Sequence, residues 1–291
     1  VISVDDMIDV VRYRDAFGVE LHTPAIDELM ARGVTFENAF TPVPLCNPAR
    51  IATLTGRSPF VTGVHHNNDA RIGEALPAGD TIFGAAHEAG WFTASGGKLF
   101  HAQYAPQQVA YFGRVLDALA PDRGYDNRGG DLRFHLDAEA RPERAYQDSN
   151  TADWAAEILK DPPAGGPFLL AAGFWKPHLN WNVPEKYFRL YDRDAIEVPE
   201  IEGVSYEDLP AHYRHALSLG PRLHERILSD DVWKEVLHGY LAAISFTDAR
   251  IGELLQAMTR AGRWADTTVV LWSDHGYHLG DRDVWKKFTL W

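Results

Sequence analysis

A chain of 291 residues, 45% hydrophobic and 24% charged, can bury a large core and is too apolar for intrinsic disorder. Its net charge of −13 argues against nucleic-acid binding by phosphate neutralisation, and no apolar run approaches the roughly 20 residues of a membrane span. The single cysteine, Cys46, excludes an intrachain disulfide framework and leaves the redox compartment open.

Short apolar runs alternate with helical patterns, which predicts a doubly wound α/β sheet. The first strand runs from Val1 to Val4. Thr23 then caps a helix with Pro24 at its first position and Gly33 beyond its end. Pro48 to Thr55 reads as a helix beginning just after Cys46 and closed by Gly56, and Asp80 and Gly90 bracket another. A strand is expected from Phe92 to Ser95. Pro167 to Phe174 and Thr268 to Trp272 are nearly continuous apolar runs, the pattern of strands buried on both faces. A long helical pattern extends from about Val232 to Ala261 and stops at Gly262. Residues 102–145 and 185–230 are richer in Pro, Asp, Arg and Tyr and read as insertions or long loops. The chain begins in a strand without a methionine and stops in an apolar run. It therefore reads as one α/β domain over 1–291, a fragment truncated at both ends.

Several of these strands end on charge. Asp5 and Asp6 follow the first, and Ser273-Asp274-His275-Gly276 follows the last. Adjacent carboxylates are costly unless a cation neutralises them, and ligands of open α/β sheets bind at the carboxyl ends of strands. Either motif alone is more often a helix cap or a turn. Two of them, each after an apolar strand, favour a cage of hard oxygen ligands for a divalent cation, with His275 beside it. Gly97-Lys98-Leu99-Phe100-His101 and Lys176-Pro177-His178 follow two other strands, and Trp285-Lys286-Lys287 closes the chain. Singly each reads as a solvated surface group or a satisfied histidine. Gathered at one pocket edge they would suit an oxyanion such as sulfate or phosphate. Cys46 would most often be an inert apolar residue. A helix start and Arg50, four residues on, both favour negative charge there, so an ordinary cysteine hydrolase is also open.

Taken in order, Val4-Asp5-Asp6, the run Leu45-Cys46-Asn47-Pro48-Ala49-Arg50 with Leu54-Thr55-Gly56-Arg57, and the Lys-Leu-Phe-His, Lys-Pro-His, Ser-Asp-His-Gly and Trp-Lys-Lys motifs resemble the type I sulfatases. The set is most similar to the iduronate-2-sulfatase-like branch. The resemblance covers essentially the whole chain. It implies the alkaline-phosphatase-like sandwich, in which a large mixed, mostly parallel sheet lies between helices, and a smaller C-terminal domain that this sequence lacks.

By that resemblance Cys46 is oxidised to formylglycine by a maturation enzyme, and its hydrate attacks the sulfur of a sulfate ester, expected to be a carbohydrate. Asp5, Asp6, Cys46, Asp274 and His275 would hold one calcium ion. Arg50 would stabilise the hydrate, Lys98 and His101 would lie beside its hydroxyls, and His178 and Lys287 would bind sulfate and assist the leaving oxygen, with Lys286 as the alternative to Lys287. The family also suggests an exported protein. Ala49 stands where the common signature has serine. A phosphonate or phosphate ester hydrolase on the same fold is the alternative activity. A non-catalytic binding protein is the other, although no site residue is missing. His65, His66, Asn67, Asn68, Trp175 and Trp181 are candidates for the substrate rim, each equally readable as ordinary surface.

Overall fold

The computed structural model describes residues 1–70, 72–101, 113–121, 142–162, 166–199, 208, 210–212, 219–229 and 232–289. Among them, five parallel strands form one sheet: β1 (Ile2–Asp5), β2 (Phe92–Gly97), β3 (Ala118–Leu119), β4 (Phe168–Pro177) and β5 (Leu271–Ser273). Their order is β3-β2-β4-β1-β5, so β1 lies inside the sheet between β4 and β5. A separate antiparallel ribbon joins β6 (His278–Leu279) to β7 (Trp285–Lys286).

Two helical layers sandwich the sheet. One contains α1 (Pro24–Arg32), α4 (Gln147–Lys160) and α6 (Trp233–Arg260). Their apolar faces, among them Ile26, Ala152, Leu237, Leu241 and Ile251, pack on Ile2, Val4, Leu170, Ala172 and Phe174. The other contains α2 (Cys46–Thr55) and α3 (Ile82–Glu88), whose Ile51, Leu54 and Phe83 meet Leu99, Phe100 and Ala171. Along β4, Leu170, Ala172 and Phe174 thus face one layer and Ala171 the other, the two-residue period of a strand covered on both sides. Helix α5 (Leu219–Ser229) lies towards the ribbon. Among the described residues no helix is long and apolar enough to cross a membrane.

The helix ends are close to those expected. Helix α1 starts at Pro24 after Thr23, and α6 stops at Arg260. Helix α2 begins at Cys46 itself, two residues earlier than expected, and Gly56 closes it in the left-handed conformation. For α3 the cap is Thr81, whose hydroxyl accepts the Gly84 N–H, and not Asp80. Thr23 likewise does not cap α1 with its side chain. The Asp248 carboxylate, from the middle of α6, accepts the Ala25 and Ile26 N–H groups at 3.0 and 2.8 Å. That is a cap supplied by a residue 222 positions away, and Asp248→Ala should cost about 1–2 kcal/mol in chemical denaturation.

One expectation needs correction, and the two segments expected as insertions or long loops carry some regular structure. The run Thr268 to Trp272 is not a strand buried on both faces. Only Leu271–Ser273 is strand, all half-buried, and among the described residues its one partner is β1. The 102–145 segment is not wholly loop, since Ala118–Leu119 adds a strand beside β2; most of that segment lies outside the described residues. The 185–230 segment contains the helical turn Glu185–Phe188 and α5, and the rest of it is in part outside the described residues.

Candidate active site

Asp5, Lys98, His178 and Asp274 all lie at or just past the carboxyl ends of β1, β2, β4 and β5. Parallel pairing brings those ends to one rim, so residues up to 269 positions apart meet there. Two glycines let the rim close tightly. A Cβ on Gly97, whose φ is +70°, would stand 1.8 Å from the Gly173 carbonyl oxygen, and one on Gly173 would stand 2.3 Å from the Lys98 backbone. With neither present, the Lys98 N–H donates to the Gly173 carbonyl at 2.8 Å and the Lys98 side chain enters the pocket beside Asp5.

Asp6 takes a left-handed φ of 62°, unusual for a residue with a side chain. Tyr240 of α6 holds that turn from beneath. Its hydroxyl donates to the Asp6 carbonyl at 2.6 Å and accepts the Ile8 N–H at 3.0 Å. The Asp6 N–H donates to Asp274 Oδ1 at 3.1 Å, which joins the two acidic motifs directly.

Arg50 lies buried at the centre of the charge network. Its Nε donates to Asp274 Oδ2 at 2.9 Å, one terminal nitrogen donates to the Lys98 and Leu99 carbonyls, and the other lies 3.1 Å from Asp5 Oδ1. The Lys98 ammonium pairs with Asp5 Oδ2 and stands over the Trp175 ring. Burial would push the Asp5 carboxyl up, but Lys98, Arg50, His178 and Lys287 overcome it and hold it well below the usual carboxylate range. Asp6 is shifted the same way, burial being outweighed chiefly by Lys287 and His178. Asp274 goes up, because burial and its acidic neighbours outweigh Arg50.

Cys46 is buried at the first residue of α2, where unpaired N–H groups favour negative charge. Two cations face its Sγ: Lys287 Nζ at 3.1 Å and His275 Nε2 at 3.3 Å. Lys287 also donates to Asp6 Oδ1 at 2.7 Å, so of the two adjacent lysines it is Lys287 that reaches Cys46. Burial lowers the His275 pKa, yet Asp274, Cys46 and Asp6 raise it to about 9. His178 goes the other way, to about 4, through burial and Lys98. Its Nε2 lies 3.9 Å from Asp6 Oδ2, and its Nδ1 meets the Leu179 carbonyl. His178 and Lys287 are the most open of these groups, with side chains 23% and 12% exposed, and so mark the mouth. His101 follows Lys98 by three residues and is half-buried.

Asp5, Asp6, Cys46 and His275 each bring one ligand atom to a group in which all lie within 4.8 Å of one another. The Asp6 Oδ2 atom is buried and, among the described residues, accepts no hydrogen bond. A buried anionic oxygen without a donor fits a hard cation. Asp274 stands one step outside this group, its two oxygens engaged by Arg50, the Asp6 N–H and the His275 N–H.

The rim candidates separate. Trp181 is fully buried, donates to the Pro177 carbonyl and packs edge-on to Tyr240 and Tyr277, so it is core and not rim. Asn67 is a tether: its Oδ1 accepts the Asn47 N–H at 2.8 Å in the first turn of α2. His65, His66 and Asn68 are exposed, and the His66 ring lies 6.2 Å from that of Phe288, next to Lys287. Trp175 is half-buried over Lys98. Two contributors escaped sequence reasoning. Tyr240 and Asn47 carry no local signal, one being an aromatic in a helix and the other an amide beside the cysteine.

The chain is 32% identical over its whole length to a sulfatase of Formosa agariphila, spanning 61% of that protein. It is 28% identical over 92% of its length to human iduronate 2-sulfatase, spanning 53% of it. The chain therefore spans a little over half the length of these relatives. Among solved structures, BT1596, a 2-O GAG sulfatase, superposes with a TM-score of 0.69 at 19% identity over all of this chain and 60% of its own. A phosphonate monoester hydrolase of Agrobacterium radiobacter superposes with 0.67 at 19% identity, covering 98% of this chain and 64% of its own. The model of the sulfatase family matches residues 1–290, and with the acidic strand ends, the cysteine at a helix start and the ring of cations already in one pocket, the chain belongs to the sulfatase family.

Proposed function

We propose that the protein hydrolyses sulfate esters, of carbohydrate substrates, at Cys46 after its conversion to formylglycine, with one calcium ion held by Asp5, Asp6, Cys46, Asp274 and His275. The carrying observation is that Cys46 Sγ, two buried carboxylates and three cationic side chains converge on one small volume. When present, the aldehyde hydrate supplies an oxygen nucleophile and calcium supplies positive charge against the sulfate oxygens.

The remaining work falls to the chain. Lys287 and His178, at the mouth, receive the sulfate group. Lys98 lies deeper, fixed by Asp5 and Trp175, and presents charge beside the nucleophile position. Arg50 keeps Asp5 and Asp274 apart and oriented. His178 Nε2 is placed to hand a proton to the departing alcohol; burial and Lys98 hold its pKa at about 4, and the negative charge of a bound sulfate ester raises it again. His101 is assigned to the proton that must leave the nucleophile afterwards. The same fold in a phosphonate monoester hydrolase favours one second reading, a phosphonate or phosphate ester hydrolase.

The test is a parallel assay of the matured protein on sulfated saccharides, an aryl sulfate and an aryl phosphonate monoester. Faster turnover of the sulfate esters, by about tenfold or more in kcat/KM, is the expected result; turnover of the phosphonate alone would overturn the sulfatase reading. Calcium is tested separately. Asp6→Ala should abolish stoichiometric calcium in metal analysis of purified protein, and calcium retained at the wild-type level would remove Asp6 from the ligand set.

A further inference from the structure

Lys287 reaches the pocket from an unfavourable backbone. Its two neighbours, Lys286 and Phe288, have φ of 74° and 77°, and Asp283 just upstream has 61°. None is glycine. Side-chain-bearing residues leave this left-handed region readily unless their surroundings hold them. Something must therefore fasten the segment on both sides of Lys287.

Upstream the fastening is Trp285. It is buried, pairs across the ribbon with Leu279, and its indole N–H donates to His224 Nδ1 at 3.0 Å. Downstream there is a three-residue chain that the proposed reaction does not use. Asp281 Oδ2 meets His278 Nδ1 at 2.7 Å, and His278 Nε2 meets Thr289 Oγ1 at 2.7 Å. The other Asp281 oxygen accepts the Leu279 N–H at 3.2 Å. Asp281 and Thr289 are almost wholly buried. The arrangement has the order of a carboxylate–imidazole–hydroxyl triad, but its hydroxyl is enclosed, so it cannot serve a second substrate. What it can do is fix Thr289, two residues beyond Lys287.

We infer that the Asp281–His278–Thr289 chain is a tether that positions the Lys287 ammonium against Asp6 and the residue-46 nucleophile. These are positioning residues, acting only through Lys287. The inference rests on the reading of the pocket as a sulfatase site. A displacement of about 1 Å at a reacting group can cost up to about a hundredfold in rate. A loosened tether is thus expected to cost about tenfold.

The test uses Thr289→Val, which removes the hydroxyl and keeps the shape, and Thr289→Ser, which keeps the hydroxyl. In the matured protein, Thr289→Val should lower kcat about tenfold and raise KM several-fold, and Thr289→Ser should restore both. On a Lys287→Ala background, Thr289→Val should add less than about twofold, because the group it positions is gone. Calorimetric titration with inorganic sulfate gives a second readout without turnover: binding should weaken several-fold in Thr289→Val and not in Thr289→Ser. A Thr289→Val protein with wild-type rate and sulfate affinity, a serine variant as impaired as the valine one, or a full multiplicative loss on the Lys287→Ala background would each overturn the tether. A wild-type protein that cleaves no sulfate ester, yet shows the same pattern of sulfate affinities, would sink the sulfatase reading and leave the tether standing. Absence of sulfate binding in the wild type would overturn both.

Discussion

Cys46→Ser is expected to abolish sulfate-ester turnover, by about three orders of magnitude or more, while the folded protein remains. The fold is spared because serine replaces a sulfur by an oxygen in a side chain of the same shape, at the start of a helix. Activity is lost because a serine hydroxyl attached to a saturated carbon can attack once but cannot collapse to an aldehyde to release the sulfate it has gained. Lys287 at 3.1 Å and His275 at 3.3 Å from Sγ would still face the oxygen, so the loss would report the chemistry of the nucleophile and not the ruin of its surroundings. The unfolding curve and circular dichroism check the first half, and turnover of a sulfated saccharide checks the second. Wild-type rates in the serine variant would remove Cys46 from the reaction. The companion measurement is the mass of the peptide containing Cys46. Conversion of thiol to aldehyde should subtract about 18 Da, and an unmodified cysteine in fully active protein would contradict the mechanism.

Arg50→Ala should damage the structure itself. The guanidinium is buried and engages Asp5, Asp274 and two backbone carbonyls at once. Removing it takes a buried cationic partner from both carboxylates, leaving Asp5 to Lys98 and Asp274 to two backbone N–H groups, and takes a donor from two carbonyl groups. Breaking a buried ion pair from one side costs about 3–5 kcal/mol, a large share of the roughly 5–15 kcal/mol that holds a typical domain together. Urea unfolding should show that loss. Arg50→Lys should recover only part of it, because one ammonium cannot reproduce the planar fork that serves a carboxylate on either side and a carbonyl pair. A full-strength Arg50→Ala protein would mean that solvent or a cation takes over the role, and that the arginine is not the keystone of the carboxylate cluster.

The sequence exposed the site better than it exposed the sheet. Asp5-Asp6 and Asp274-His275 stood out because paired charges rarely follow apolar runs without a partner, and parallel strands of a covered sheet are such runs. Helix α1, α2 and α6 could be bounded from Thr23, Gly56 and Gly262, residues whose preferences act locally. Helix α4 gave no such signal. Its first five residues include Gln147, Asp148, Ser149 and Thr151, polar residues that are nevertheless buried. Asp148 is spent on the Trp175 and Lys176 N–H groups at the end of β4, at 2.8 and 2.9 Å. Only the packed structure makes that burial favourable. The Thr268–Trp272 run misled for the converse reason: an apolar run shows that a segment can be covered, not that two neighbours will cover it.

By itself the sequence determined which residues could do chemistry here, because the acidic strand ends, the lone cysteine at a helix start and the spaced Lys and His motifs are local patterns with local physical causes. Only the tertiary structure decided their partners. Strand order β3-β2-β4-β1-β5 sets Asp274 beside Asp6, close approach at Gly97 and Gly173 admits Lys98, and a strained segment aims Lys287 at Cys46. Such pairings join residues far apart in the chain, 93 positions for Asp5 and Lys98 and 268 for Asp6 and Asp274, fixed by which apolar faces bury together, and no short-range pattern encodes them.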